Sequence, residues 1–329
     1  MTSPPLDEFG LIARYLAPLA THPGADGLHD DVAVLARASL AGDLVLTTDA
    51  IVAGVHFLED EDPRLVAERL LRANLSDLAA KGARPIGYQL TLALTVAEDA
   101  AWLEAFTTGL RANQTAFDWS LLGGDTVRTP GPLTLSLTAL GELAAGTRAP
   151  RRGGAKAGDA VWVTGWIGDG ALGLAVAKGE AGFLPPHLAG AAEAKFRLPQ
   201  PRVAFGLALA GVATASADVS DGLVADLGHI AEASGLGAAI EADAVPLSAA
   251  GRAAVAHDPA WLARLLSGGD DYEIVFTAPP AAEAAIRTAG AASGLAVTRI
   301  GSMTAGEGVS VRRGDGTPLA IPDGGYHHF

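Results

Sequence analysis

Apolar residues recur at helical spacing over residues 6–19, with Phe9, Ile12, Ala13 and Leu16 forming one stripe. Acids sit in the first turn, where the positive end of the helix dipole favours them, so an opening helix is expected. Residues 32–35 and 43–48 read as short strands. An amphipathic helix is predicted over 64–81, stopping at Gly82. A partly alternating strand over 86–95, a helix over 98–117, a short apolar run into LLGGD and a longer strand at 133–142 complete the first half. Residues 143–159 are small, basic and Gly-rich, which marks a turn-laden connection. The second half opens with a strand at 160–165 and a helix at 168–178. Helices near 201–212 and 221–234 flank the run SADVS, and strands follow at 238–241, 273–277, 296–301 and 308–312. This alternation predicts an α/β (α+β) class in two domains, 1–142 and 159–329, joined by 143–158.

Composition narrows the class. The chain has 329 residues, 49% hydrophobic and 18% charged, enough apolar material for two ordinary cores. Its longest uncharged run, 203–217, is shorter than the ~18 residues of a membrane span and carries Gly, Thr and Ser. No membrane partner is expected. Asp7 and Glu8 stand where a secretory signal has basic residues, so the expected location is cytoplasmic. The absence of cysteine excludes disulfides, thiolate zinc sites, iron–sulfur clusters and a Cys nucleophile. A formal charge of −14 argues against a nucleic-acid partner, because a phosphate backbone needs a basic surface. A small anionic ligand is compatible with that charge if divalent cations recruited by carboxylates hold it.

One chemical pattern repeats along the chain: an apolar run ends in small residues and then an aspartate. It occurs as LVLTTD (Asp49), ANLSD (Asp77), LLGGD (Asp125), ASADVSD (Asp218 and Asp221) and LLSGGDD (Asp270 and Asp271), with HDD (Asp30 and Asp31) beside them. Each alone is an ordinary turn or helix cap. Together, carboxylates at several strand ends can meet on one rim, where their repulsion is relieved only by cations. Oxygen donors without Cys or clustered His favour hard ions such as Mg²⁺, which bridge to phosphates and so point to a nucleotide.

Competing motifs fare less well. No GxxxxGK[ST] loop is present, which excludes a P-loop, and no EF-hand loop occurs. Gly168, Gly170 and Gly173 spell GxGxxG after a strand and at the head of a helix, but the second strand ending in an acid that a dinucleotide fold requires is missing from 179–195. Two glycosylation triplets, at Asn74 and Asn113, are read as chance, and His327 with His328 as exposed residues. The tryptophans at 102, 119, 162, 166 and 261 are read as core packing.

Taken together, the segments TTDAIVAGVHFL, ANLSDLAAKGARP, LLGGDTVR, RRGGAKAGDAVWVTG, ADVSDGLVADLGHIAEASGLGA, LSGGDDYEIVFT and GGYHHF resemble the thiamine-monophosphate kinase family over nearly the whole chain. The resemblance implies two domains of the aminoimidazole-ribonucleotide-synthetase type. On that resemblance the N-terminal mixed β-sheet with helices would form a homodimer interface, the C-terminal domain would be α/β, and Mg-ATP would bind in a cleft without a P-loop. It also implies transfer of the ATP γ-phosphoryl group to thiamine monophosphate, giving thiamine diphosphate.

Residue by residue, the implied magnesium ligands are Asp31, Thr47, Thr48, Asp49, Asp77, Asp125, Asp218 and Asp221. Gly124, Asp125, Arg152 and Ser220 would contact ATP, and His56, Asp270 and Tyr326 would face thiamine monophosphate. Asp49, Asp77, Asp125 and Arg152 would carry catalysis, with Arg152 capping the transferring group. The chain departs from the family at His29, where Gly is usual, at GGDDYE in place of GGEDYE, and at His327 near the end. The alternatives are an aminoimidazole-ribonucleotide-synthetase-type enzyme and a divalent-ion or nucleotide sensor that never turns over.

Overall fold

The structure, a computed structural model, describes residues 8–29 and 32–321. Asp31 and Tyr326 lie outside the described residues. The chain divides into two compact units, 1–78 with 84–146, and 79–83 with 147–329. The opening segment winds helically in three gauges: α1 (Glu8–Leu11), a π turn (Ile12–Leu16) and a 3₁₀ turn (Ala17–Leu19). Pro18, which cannot donate a backbone hydrogen bond, lies in the last of them.

The first unit is built from β1 (Leu44–Val52), α2 (Pro63–Ala80), β2 (Arg84–Leu94), α3 (Ala100–Phe117), β3 (Ser120–Arg128) and β4 (Thr134–Glu142). α2 begins with proline at a position where no backbone donor is needed, and Asp62 accepts from the Arg64 N–H at 2.9 Å. α3 is capped by Asp99, which accepts from the Trp102 N–H, and ends on Asp118 in the left-handed region. The sheet order is β1-β4-β2-β3; β4 runs antiparallel to both neighbours, and β2 and β3 are parallel across the α3 crossover.

Strand alternation divides this sheet into a covered and an open face. Tyr88, Leu90, Leu92, Leu135, Leu137 and Ala139 are buried, and the Tyr88 hydroxyl accepts from Gln114 of α3 at 3.2 Å. On β1 the even positions, Leu44, Leu46, Thr48 and Ala50, are exposed. Leu46 is 60% exposed and Val127, across the sheet, 45%.

In the second unit the strands β5 (Ala160–Thr164), β6 (Ala215–Asp218), β7 (Gly237–Glu241), β8 (Ile274–Ala278), β9 (Val297–Thr304) and β10 (Gly308–Arg312) form one mixed sheet of order β10-β7-β9-β5-β8-β6. Alternate residues of the central strands feed two cores. Val161, Val163 and Val275 pack with Leu223, Leu227 and Ile230 of α7 (Leu223–Ser234). On the other face Trp162, Ile274 and Phe276 pack with Phe205 of α6 (Val203–Leu209) and Ile286 of α10 (Glu283–Ala292). A third cluster joins α4 (Asp169–Ala177), α5 (Pro186–Arg197), α8 (Ala249–His257) and α9 (Trp261–Ser267). Helices thus cover both faces, an arrangement in which central strands are apolar throughout, as the fully buried β5 and β8 are.

Several expectations need correction. Residues 32–35 form no strand: Val34 makes a single backbone bond, to Gly24, and Val32 and Val34 are 60% and 64% exposed, so no ladder or core holds them extended. Four helices, α5, α8, α9 and α10, escape the sequence reading. Trp166 is 43% exposed, unlike the buried Trp119, Trp162 and Trp261. Asn74 and Asn113 of the two glycosylation triplets are fully buried within helices, which agrees with their being chance matches.

Gly109 of α3 is required by close packing on α2: a Cβ there would stand 2.3 Å from the Arg64 carbonyl oxygen and 2.9 Å from the Ala67 methyl. Gly109→Ala should therefore destabilise the first unit by about 1–3 kcal/mol through overpacking, despite alanine's better helix propensity. The urea midpoint of the variant against the parent chain measures this.

Candidate active site

In the first unit the site begins on β1 and α2. Thr47 and Asp49 share the face of β1 that looks toward α2, because they are two residues apart. The Thr47 hydroxyl donates to Asp77 Oδ2 at 2.6 Å, joining two groups thirty residues apart in sequence. Thr47, Asp49 and Asp77 thus offer oxygen donors and neither sulfur nor nitrogen, a set that suits a hard cation. Thr48 points to the opposite, open face, where its hydroxyl meets that of Thr138 at 2.8 Å. Among Thr47, Thr48 and Asp49, strand alternation brings only the first and last side chains together.

Asp125 is moved by a β-bulge. Tyr88 pairs with Leu121 and Gln89 with Gly123, so Leu122 is an extra residue that resets the alternation of β3. Leu122 packs with Ala20, Ala25 and Leu140, while Gly124 falls in the row of Leu90, Leu137 and Asp49. Asp125, opposite Thr91, then lies on the open face with Thr48 and Ser136, and one of its oxygens accepts from the Thr126 N–H at 2.8 Å. Gly124 has a local reason of its own: a Cβ there would come within 1.9 Å of the Leu90 carbonyl oxygen. His56 sits in the turn after β1, where its Nδ1 accepts from the Val52 N–H at 3.1 Å.

In the second unit two loops are stitched together along the β6–β8 edge. Asp218 ends β6 and is buried. The Val219 N–H donates to the Glu273 carbonyl, the Asp270 N–H to the Ser220 carbonyl at 2.9 Å, and the Tyr272 N–H to the Val219 carbonyl at 2.8 Å. Ser220, Asp221 and Asp270, predicted from separate motifs, are therefore neighbours. Asp270 and Tyr272 hold φ of +69° and +52°, a left-handed backbone that costs free energy in residues with side chains and is common where a binding loop is held fixed.

The RRGGA turn docks against α7: Ser234 donates to the Arg152 carbonyl at 3.0 Å and accepts from the Ala155 N–H. Gly153 and Gly154 allow this, since a Cβ at either would strike the carbonyl of Ala233 or Thr214. Arg152 itself is exposed, with its charge felt at Asp226 of α7.

Two acids organise these loops, one that the sequence reading missed and one that it marked in the recurrent pattern without giving it a role. Asp226 lies on the buried face of α7 and is 1% exposed. Its Oδ2 accepts from the N–H groups of Asp221 and Gly222, both at 3.1 Å. Burial, followed by the negative charge of Asp221, pushes its carboxyl up to about 7. The available signal was an acid between Leu223, Leu227 and Ile230, on a helix face that is otherwise apolar.

Asp271 is the second. Its two oxygens accept from the N–H groups of Gly168 and Gly170 at 2.7 and 2.9 Å. The GxGxxG helix start is therefore filled by a carboxyl group of the chain itself, where a dinucleotide fold would hold a pyrophosphate. Burial pushes the Asp271 carboxyl well above the usual carboxylate range, opposed by those two hydrogen bonds and aided by the charges of Asp169 and Glu273.

Residues 29–143 match the family described as AIR synthase related protein, N-terminal domain, and residues 156–314 its C-terminal domain. Fold and sequence thus define an AIR synthase related protein. Thiamine-monophosphate kinase of Caulobacter vibrioides is 48% identical over 311 residues, 93% of this chain and 86% of that protein. The crystal structure of thiamine-monophosphate kinase from Stenotrophomonas maltophilia superposes with a TM-score of 0.78 at 39% identity, covering 89% of this chain and 91% of that one. AaThiL complexed with AMPPCP and TMP matches with a TM-score of 0.76 at 29% identity over 100% and 99% of the two chains. The chain belongs to the thiamine-monophosphate kinase family.

The raised Asp271 carboxyl fixes the sign of a pH effect. The native state keeps this proton where the unfolded chain has lost it. The contribution is therefore complete below the unfolded value of about 4 and declines as pH rises beyond it. Asp271→Asn cannot titrate, so urea midpoints measured from about pH 4 to 8 should fall less steeply in the variant than in the parent chain.

Proposed function

We propose that this chain phosphorylates thiamine monophosphate at the expense of ATP. A phosphate oxygen of thiamine monophosphate attacks the γ-phosphorus, the bond to the β,γ-bridging oxygen breaks, and thiamine diphosphate and ADP leave. The observation that carries the reading is the 2.6 Å contact of Thr47 with Asp77, which with Asp49 assembles an oxygen-only set in a chain of this family.

The acceptor needs no general base: a phosphate monoester has a second pKa near ~6 and is largely a dianion at neutral pH. What remains is to bring two anions into line and stabilise the charge that spreads over the transferring group. Magnesium, when bound, supplies neutralisation of both phosphates. Thr47, Asp49 and Asp77 are assigned to it on the covered face of the first sheet, Asp218 and Asp221 in the second unit, with Asp31, Thr48 and Asp125 added by resemblance, the last two from the open face of that sheet. Ser220 and Arg152 are assigned to ATP together with Gly124 and Asp125, Arg152 meeting the transferring group. Asp270, His56 and Tyr326 are assigned to thiamine monophosphate, the left-handed backbone at 270 fixing the direction of that carboxylate.

Two broader assignments accompany this. The domains are kept as 1–142 and 159–329 with 143–158 between them, and the cytoplasm, where ATP is plentiful, suits the reaction. A homodimer is inferred through the open face of the first sheet, supported by Leu44, Leu46 and Val127, which are 40%, 60% and 45% exposed.

Incubation with Mg-ATP and thiamine monophosphate, followed by chromatography, should yield thiamine diphosphate; nucleotide binding without product from this acceptor would sink the proposal. Asp77→Asn should lower kcat by about 100-fold or more at saturating Mg²⁺, with the circular dichroism spectrum unchanged. Denatured protein recovered after exposure to γ-labelled ATP should carry no label, since direct transfer leaves none on the chain.

A further inference from the structure

The first turns of α7 hold groups that the phosphoryl-transfer reading leaves unused. Asp226 is 1% exposed, and only its Oδ2 is engaged, by the N–H groups of Asp221 and Gly222. Its Oδ1 is buried and has no hydrogen-bond partner among the described residues. An anionic oxygen left so is costly, and it calls for a cation or a donor. One helical turn further on, His229 carries its imidazole to the exposed rim. One carboxylate oxygen of Asp221, one of Asp226 and a ring nitrogen of His229 lie within 4.8 Å of one another. Donors bonded to one ion at about 2.1–2.3 Å are roughly 3.0–3.3 Å apart when adjacent and 4.2–4.6 Å when opposite, so side-chain rotations that draw the three together complete the site.

We propose that Asp221, Asp226 and His229 form a divalent-cation site that prefers a transition ion of the Mn²⁺ class to Mg²⁺. The preference comes from the imidazole. Magnesium selects oxygen and gives up water reluctantly, whereas an imidazole nitrogen with two carboxylates suits the first-row transition ions. The bound cation meets the open valence of Asp226 Oδ1 and relieves its repulsion with Asp221. Asp221 is shared with the magnesium set assigned above; Asp226 and His229 are not, and the site stands whether or not thiamine monophosphate is the substrate.

The test uses the full-length chain, stripped of metal by chelation and kept free of nucleotide. Pulsed electron paramagnetic resonance of the Mn²⁺-loaded protein should show coupling to an imidazole ¹⁴N nucleus, and His229→Ala should abolish that coupling. The same variant should weaken one Mn²⁺ per chain by roughly tenfold or more, while its melting temperature stays put because the ring is exposed. Absence of nitrogen coupling in the parent chain overturns the site, as does coupling that survives in His229→Ala. Displacement of this Mn²⁺ by an equal concentration of Mg²⁺ overturns the preference. Since no substrate is present, failure here leaves the kinase reading untouched, and failure of the kinase assay leaves this site untouched.

Discussion

Like charges repel, and each unit of this molecule must hold its own acids in place without letting them spring apart. It does so by giving each a fixed donor. Asp77 takes the Thr47 hydroxyl, Asp226 the backbone N–H groups of Asp221 and Gly222, and Asp271 those of Gly168 and Gly170. Backbone donors do not swing away as side chains do, so the acids are set before any ligand arrives. This is the physical meaning of preorganisation at an anionic site, where reorganisation on binding would otherwise consume much of the available interaction.

The GxGxxG segment illustrates how such donors change the meaning of a motif. Glycine spacing, the preceding strand and the helix that follows all agree with a phosphate cradle. The backbone N–H groups are present, but the acceptor they meet is the side-chain carboxyl of Asp271, about a hundred residues later in the chain. The glycines serve packing instead: a Cβ at Gly168 would meet Leu265, and one at Gly170 the backbone of Asp270. The helix start thereby braces the loop that presents Asp270.

Much of this architecture was legible from periodicity. Elements with a clear apolar stripe and a marked end, such as α2 between Pro63 and Gly82 or α3 after Asp99, fall within a few residues of their expected limits. α5, α8 and α10 were not legible because they are rich in Ala and Gly, which pack against neighbours without raising a strong apolar contrast. The recurrent small-residue–Asp pattern marked Asp49, Asp77 and Asp270. It said nothing about Asp226, whose role is visible only once α7 turns it inward, and nothing about which way Thr48 and Asp125 face.

That last point follows from one surplus residue. Between the partners of Tyr88 and Gln89, β3 spends two positions, and Leu122 takes up the difference. Strand length in this stretch is consequently as informative as residue identity. Were the same letters paired without the bulge, Leu122 would stand opposite Gln89 and Asp125 opposite Leu92, which puts Asp125 on the covered side of the sheet. The letters of the LLGGD motif thus do not by themselves decide which of its side chains reaches solvent; the place where the strand takes its extra residue does.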